Sequence, residues 1–269
     1  MSDSPGQQAP CADIEAEASR LISSATQLGV RVRLVGGLAI AQHKHQNIPV
    51  PEPLRRDYGD IDIIVRRGDD RTLRGQLERL GYVADRHFNA VHGARRLLYH
   101  DEANARRLDV FVGEFAMCHT LDLGGRLELN PGSLTAADLL LTKLQVVQLT
   151  HKDIVDAATL LITHNPERAV PNRAAPCIID TDRILAVTTA DWGWYTTVSD
   201  NLGAVASAAS WLLPEPAAET VAERAAGITQ AMAEAPKSMR WRLRAKVGRK
   251  LPWYELPEEI GAETGAGHG

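Results

Sequence analysis

Apolar and polar positions along this chain recur with two different periods, and the dominant period changes near the middle. From residue 13 to about 28, Ile14, Ala18, Leu21, Ile22, Ala25 and Leu28 fall at helical spacing and Gly29 supplies a stop, which predicts an amphipathic helix. Residues 30–35 form a short run of Val and Leu interleaved with arginines, a strand, ending at Gly36-Gly37 before the helix-like LAIAQHKH. After a loop broken by Pro49, Pro51 and Pro53 comes DYGDIDIIV, where Ile61, Ile63 and Val65 alternate with Asp60, Asp62 and Ile64. Residues 69–80 predict another helix, and RRLLYH and RRLDVFVG predict a hairpin over about 95–113.

Beyond residue 133 the period is almost entirely helical. Thr135 to Asp138 has the form of a capping box, after which Leu139, Lys143, Val146 and Val147 continue a helix. Further helices are expected at 152–163, 181–190, 197–212, 217–233 and 237–250. The expected class is α+β: a mixed sheet flanked by helices in a catalytic core over 13–132, then a helical domain over 133–255. Small polar residues at 1–12 and 256–269 read as loose tails.

Composition narrows the choices. With 44% hydrophobic residues in 269, the chain can bury more than a minimal core, and a net charge of −4 excludes a polycation that coats nucleic acid. Any basic surface must be local. Cys11, Cys118 and Cys177 show neither metal-ligand spacing nor a disulfide framework, which suits a reducing compartment. The opening residues carry no basic or apolar leader pattern and no run is long enough to span a bilayer, so the expectation is a cytoplasmic protein with no membrane partner.

The candidate chemistry lies in the carboxylates. Asp60 and Asp62, at i and i+2 of a strand, share one face, and two ionised carboxylates that close require a compensating cation. Asp109 sits between Leu108 and Val110 in a second apolar run; if the two strands are neighbours, the three converge. Hard oxygen donors without nearby His or Cys select Mg²⁺ or Mn²⁺. Such a cluster suits phosphoryl chemistry, and Gly36 and Gly37 would let backbone N–H groups approach phosphate oxygens. Each feature alone also fits a solvated sheet face or an ordinary turn; their order along the chain is what points to a nucleotide site.

These residues resemble the nucleotidyltransferase superfamily with the polymerase-beta-type fold, and within it the AbiEii-type abortive-infection toxin nucleotidyltransferases. The similar segments are LVGGLAIA (34–41), RRDYGDIDIIV (55–65), RLDVFVG (107–113) and ADLLLTKLQVVQLTHKDIVDAATLL (137–161). The resemblance implies an NTP substrate, phosphate binding at Gly36 and Gly37, and metal binding at Asp60 and Asp62. It further implies a site lysine at Lys143 and a following aspartate at Asp153, with Asp156 three residues on. Asp109 would be a third metal ligand or a general base. Leu38 stands where a small hydroxyl residue is common in the superfamily.

For the acceptor, the run KSMRWRLRAKVGRK (237–250), which contains no acidic residue, suits RNA, with transfer RNA and a toxin-like role bearing on a cognate antitoxin as its extension. Trp241 and Trp253-Tyr254 would offer stacking surfaces. The same run also reads as a solvated helix packed on the core through Met239, Leu243 and Val247. Small-molecule or protein acceptors, and a catalytically silent binding module, remain alternatives. Arg55, Arg56, Arg95, Arg96, Arg106 and Arg107 add paired charge around the carboxylates, to hold triphosphate or RNA or to guard strand edges.

Overall fold

The computed structural model describes residues 9–43, 48–168 and 178–256. In chain order the elements are α1 (Ile14–Gln27), β1 (Val32–Val35), α2 (Gly36–Gln42), β2 (Ile61–Val65), α3 (Asp70–Arg79), β3 (Val83–Ala84), α4 (Arg86–His92), β4 (Arg96–Asp101), β5 (Arg106–Val112), β6 (Glu114–Ala116) and β7 (Thr120–Asp122). There follow α5 (Ala136–Leu144), α6 (His151–Thr163), β8 (Asn165–Glu167), β9 (Ile178–Asp180), α7 (Thr181–Thr188), α8 (Trp192–Leu212), α9 (Glu215–Glu234) and α10 (Met239–Val247). The fold is α+β, with a mixed sheet flanked by helices and a helical C-terminal region.

The main sheet runs β1-β2-β5-β4-β3, antiparallel throughout except for the central parallel pair β2 and β5. Leu34, Ile63, Val110 and Leu97 make one register line across four strands, all buried. Period-two alternation then places Val35, Asp62, Asp109 and Leu98 in the next line, on the opposite face. One sheet face is thus apolar, and the other carries the carboxylates. α1 begins at Asp13, whose carboxylate accepts from the Ala16 N–H at 2.7 Å, and buries Ala18, Leu21 and Ala25.

The segment joining the two halves is part of the sheet. Leu34 donates its N–H to the Gly132 carbonyl and accepts from the Leu134 N–H, so residues 132–134 lie along the outer edge of β1. α5, buried along nearly its whole length, packs on α2, α6, α7 and α8, while α8 and α9 form a long hairpin. A single buried apolar cluster runs from Ala18 through α5 to Met232.

Several boundaries differ from the pattern-based expectation. α5 ends at Leu144 with Gln145 as cap, because Asn201 donates to the carbonyls of Leu144 and Val146 and takes over the bonds a continuing helix would make. α8 starts at Trp192, five residues early, since Asp191 caps it by accepting from the Trp194 N–H. The expected tail 1–12 is held at its end: Cys11 donates to Glu17 at 2.8 Å, and its carbonyl accepts from Arg106 at 2.5 Å. Residues 1–8 and 257–269, His45 and Cys177 lie outside the described residues.

Candidate active site

Asp62 on β2 and Asp109 on β5 are register partners on adjacent parallel strands, so their side chains leave the same face side by side. Asp109 is buried and already matched. The Arg96 Nε and Nη2 atoms donate to its two oxygens at 2.8 and 2.5 Å, a bidentate pair contributed from β4. Arg96 is itself held between the rings of Phe111 and Phe88, at 5.1 and 5.8 Å from their centroids.

Asp62 has no such partner. No described side chain or backbone group donates a hydrogen bond to it, and burial, with the charge of Asp109 next in weight, pushes its carboxyl up to about 7. Lys143 and Arg96 oppose that rise without cancelling it. Asp60, two residues earlier on the same face and half-exposed, accepts from Arg107 at 2.9 Å.

The glycine pair closes the other side. Gly36 has φ +73°, and a β-carbon there would overlap the Asp62 carboxylate; one on Gly37 would overlap the Arg56 guanidinium and lie 3.0 Å from the Tyr58 ring. Only glycine lets the backbone lie between these groups. Arg56 rests over Tyr58 at 4.3 Å and donates through Nε and Nη2 to Asp156 at 3.0 and 2.7 Å. The same buried Asp156 pairs with Lys143 Nζ at 2.9 Å, and Asp153 lies 3.3 Å from that ammonium. Burial alone would pull Lys143 down, but Asp156 and Asp153 outweigh it and the ammonium stays above its ordinary value. Asp153 also completes the capping box of α6 with Thr150, which fixes its orientation.

Gly36, Gly37, Asp60, Asp62, Asp109, Lys143 and Asp153 therefore lie along one connected set of contacts. As the side chains stand, Asp60, Asp62 and Asp109 are not gathered round one point: among the described residues no three His, Cys, Asp or Glu side chains are grouped to hold a metal ion. The physical reason is that Arg107 draws Asp60 aside and Arg96 holds Asp109. The donor set still fits a hard divalent cation, because the partly buried Asp62 accepts no hydrogen bond from a described donor and the neighbouring donors are carboxylate oxygens.

Sequence reasoning did not single out Tyr58, nor assign individual partners to the arginines. Each arginine doublet divides: Arg56, Arg96 and Arg107 meet Asp156, Asp109 and Asp60, whereas Arg55, Arg95 and Arg106 bond the Val50 carbonyl, Glu114 and Asp101. In the two strand doublets this follows from side chains alternating between faces. That alternation was the available signal.

On α10 one of the two readings is corrected. Met239, Leu243 and Val247, expected as its core-facing stripe, are 71%, 57% and 36% exposed. Its anchor is Trp241, whose indole N–H donates to the Thr188 carbonyl at 3.1 Å and whose ring meets Tyr195 at right angles. Of the cations, Lys237 and Arg244 bond backbone carbonyls and Arg249 pairs with Asp200. Arg240, Arg242, Lys246 and Lys250 have no partner among the described residues. No described helix is long and apolar enough to cross a membrane.

No family model and no curated protein matches this chain. Among solved structures, the chain is similar to the antibiotic-resistance factor ANT(2'')-Ia, whose solution structure is described as showing substrate-regulated conformation dynamics. Identity is 12% and the TM-score 0.36, over 54% of this chain and 82% of that one.

Proposed function

We propose that this chain is a magnesium-dependent nucleotidyltransferase of the AbiEii-like kind, moving a nucleoside monophosphate from an NTP to an acceptor hydroxyl with release of pyrophosphate. The observation that carries the reading is Asp62, a partly buried carboxylate without a hydrogen-bond donor, beside Asp109 and against the backbone of Gly36. Asp60 and Asp62 would hold Mg²⁺ or Mn²⁺, with Asp109 as third ligand or as general base. A bound divalent ion would neutralise charge on the triphosphate and the leaving pyrophosphate.

The remaining work falls to the chain's own residues. The N–H groups of Gly36 and Gly37 receive phosphate oxygens, for no side chain caps α2. Lys143 and Arg56 hold the triphosphate, and Asp153 and Asp156 orient them. The acceptor oxygen attacks the α-phosphorus and the bond to pyrophosphate breaks. In the general-base reading, the hydroxyl proton passes to Asp109, kept in position by Arg96.

The acceptor we favour is RNA, transfer RNA included, reached through Arg240, Arg242, Lys246 and Lys250, in a cytoplasmic, toxin-like role with a cognate antitoxin. The test is incubation of the protein with each NTP labelled at the α-phosphate, Mg²⁺ and total cellular RNA, beside a folded Asp62→Asn variant. Label in RNA from the wild type alone supports the reading. Label transferred equally by Asp62→Asn would sink the mechanism, and label only in protein or small molecules would replace the acceptor.

A further inference from the structure

A cleft of about 520 Å³, separate from the carboxylate site, opens where three distant segments meet: the start of β7, the first turn of α8 and the chain after α10. His119, Asp191, Trp194, Trp253, Tyr254 and Glu255 line it. Its connection to the site runs through α5, and the two lie on different sides of that helix's end. Gln145 accepts from the His119 N–H at 3.1 Å, while Lys143, two residues earlier, turns to Asp156.

The cleft is built rather than left over. Glu255 donates its N–H to the Cys118 carbonyl, and the Trp253 indole N–H donates to Thr197 Oγ1. A β-carbon on Gly193 would lie 2.6 Å from the Trp253 carbonyl oxygen, so glycine there permits the C-terminal segment to close on α8. Thr197 Oγ1 lies 2.9 Å from His119 Nε2. Burial pushes the His119 imidazolium down to about 4, and the ring is neutral at physiological pH.

The lining therefore contains no cation. The nearby arginines are engaged: Arg244 with the carbonyls of Gly248, Leu251 and Pro252, and over the Trp192 ring; Arg249 with Asp200. Arg249 also lies over the Trp253 ring at 5.4 Å, so this indole already receives a cation from the protein itself. Asp191 uses one oxygen to cap α8, and Glu255 has no side-chain partner among the described residues. Aromatic rings beside carboxylates, in a lining without Lys or Arg, attract a cation with an organic surface; on Trp253 the face away from Arg249 is the one such a ligand would take.

We propose that this cleft is a binding site for a small organic ammonium ion, seated against the Trp253 and Tyr254 rings between Asp191 and Glu255. The proposal is independent of the nucleotidyltransferase reading. The probe is choline, compared with its uncharged carbon isostere 3,3-dimethylbutan-1-ol, followed by tryptophan fluorescence and by calorimetry on the full chain. Choline should bind saturably and at least about tenfold more tightly than the isostere. The Asp191→Asn/Glu255→Gln variant should lose most of that preference at unchanged Tm, because asparagine caps a helix as well as aspartate does. A Tyr254→Leu variant, which touches neither the cap nor the Glu255 carboxylate, should weaken choline as well. Absence of saturable binding, equal binding of the isostere, or a charge preference that survives Asp191→Asn/Glu255→Gln in folded protein would each overturn the proposal.

Discussion

Asp62 and Asp109 stand side by side on the parallel strands β2 and β5, and of the two only Asp109 has an arginine to itself. The imbalance makes Asp62 the carboxylate that demands a cation. Because its folded value near 7 lies above its ordinary 3.8, the extra stability from its proton is full below about pH 4 and is lost as pH rises through 7. In metal-free solution, Asp62→Asn should therefore be more stable than wild type at about pH 8, by on the order of 2 kcal/mol, and gain little at about pH 4. Denaturant melts at the two pH values measure this, and Mg²⁺ should raise the wild-type Tm while leaving that of Asp62→Asn in place.

The glycine pair offers a second prediction. Gly36→Ala combines a left-handed backbone with overlap on Asp62, and Gly37→Ala overlaps Arg56. Gly36→Ala should cost about 1–3 kcal/mol of stability and abolish nucleotide transfer. Gly37→Ala should fold with a smaller loss, since the end of an arginine side chain can move, and show its defect as a raised KM for NTP.

Lys143 and Asp156 should behave differently although they touch. Asp156→Ala leaves Arg56 and Lys143 half-buried without their shared anion and should destabilise by about 3–5 kcal/mol. Lys143→Met keeps the Arg56–Asp156 pair and fills the same space with an apolar chain. Its thermal melt should stay near wild type while transfer activity falls at least about tenfold.

On α10 the division of labour among cations is directly testable. Arg242→Glu and Lys246→Glu should leave Tm unchanged and make RNA binding less sensitive to salt, each flattening the log–log slope by about 0.7 for every phosphate that the cation neutralises. Arg244→Ala should instead lower Tm, because that side chain holds the turn at Gly248, Leu251 and Pro252. RNA affinity measured across a salt series, beside melts of the same variants, separates the two roles.

The α+β class and the D-x-D strand were legible because period-two alternation is a local property of residues 60–65. That Asp109 would pair with Asp62 was not, since register between strands nearly fifty residues apart is decided by the whole sheet. Arg96 was visible only as half of a basic doublet; its role needs β4 beside β5. β6 with β7 and β8 with β9 are three residues each, too short for any period to be seen. Met239, Leu243 and Val247 misled because helical spacing reports that a stripe exists, not which way it faces; the one indole hydrogen bond of Trp241 turned it outward.

Asp156 serves two cations with one carboxylate, and that sharing works like a see-saw. When an incoming polyanion draws Lys143 away, Arg56 inherits the undivided attraction of Asp156; when Arg56 leaves, Lys143 does. Either cation can be lent to a ligand while the other keeps Asp156 paired, Arg56 from the loop before β2 or Lys143 from α5.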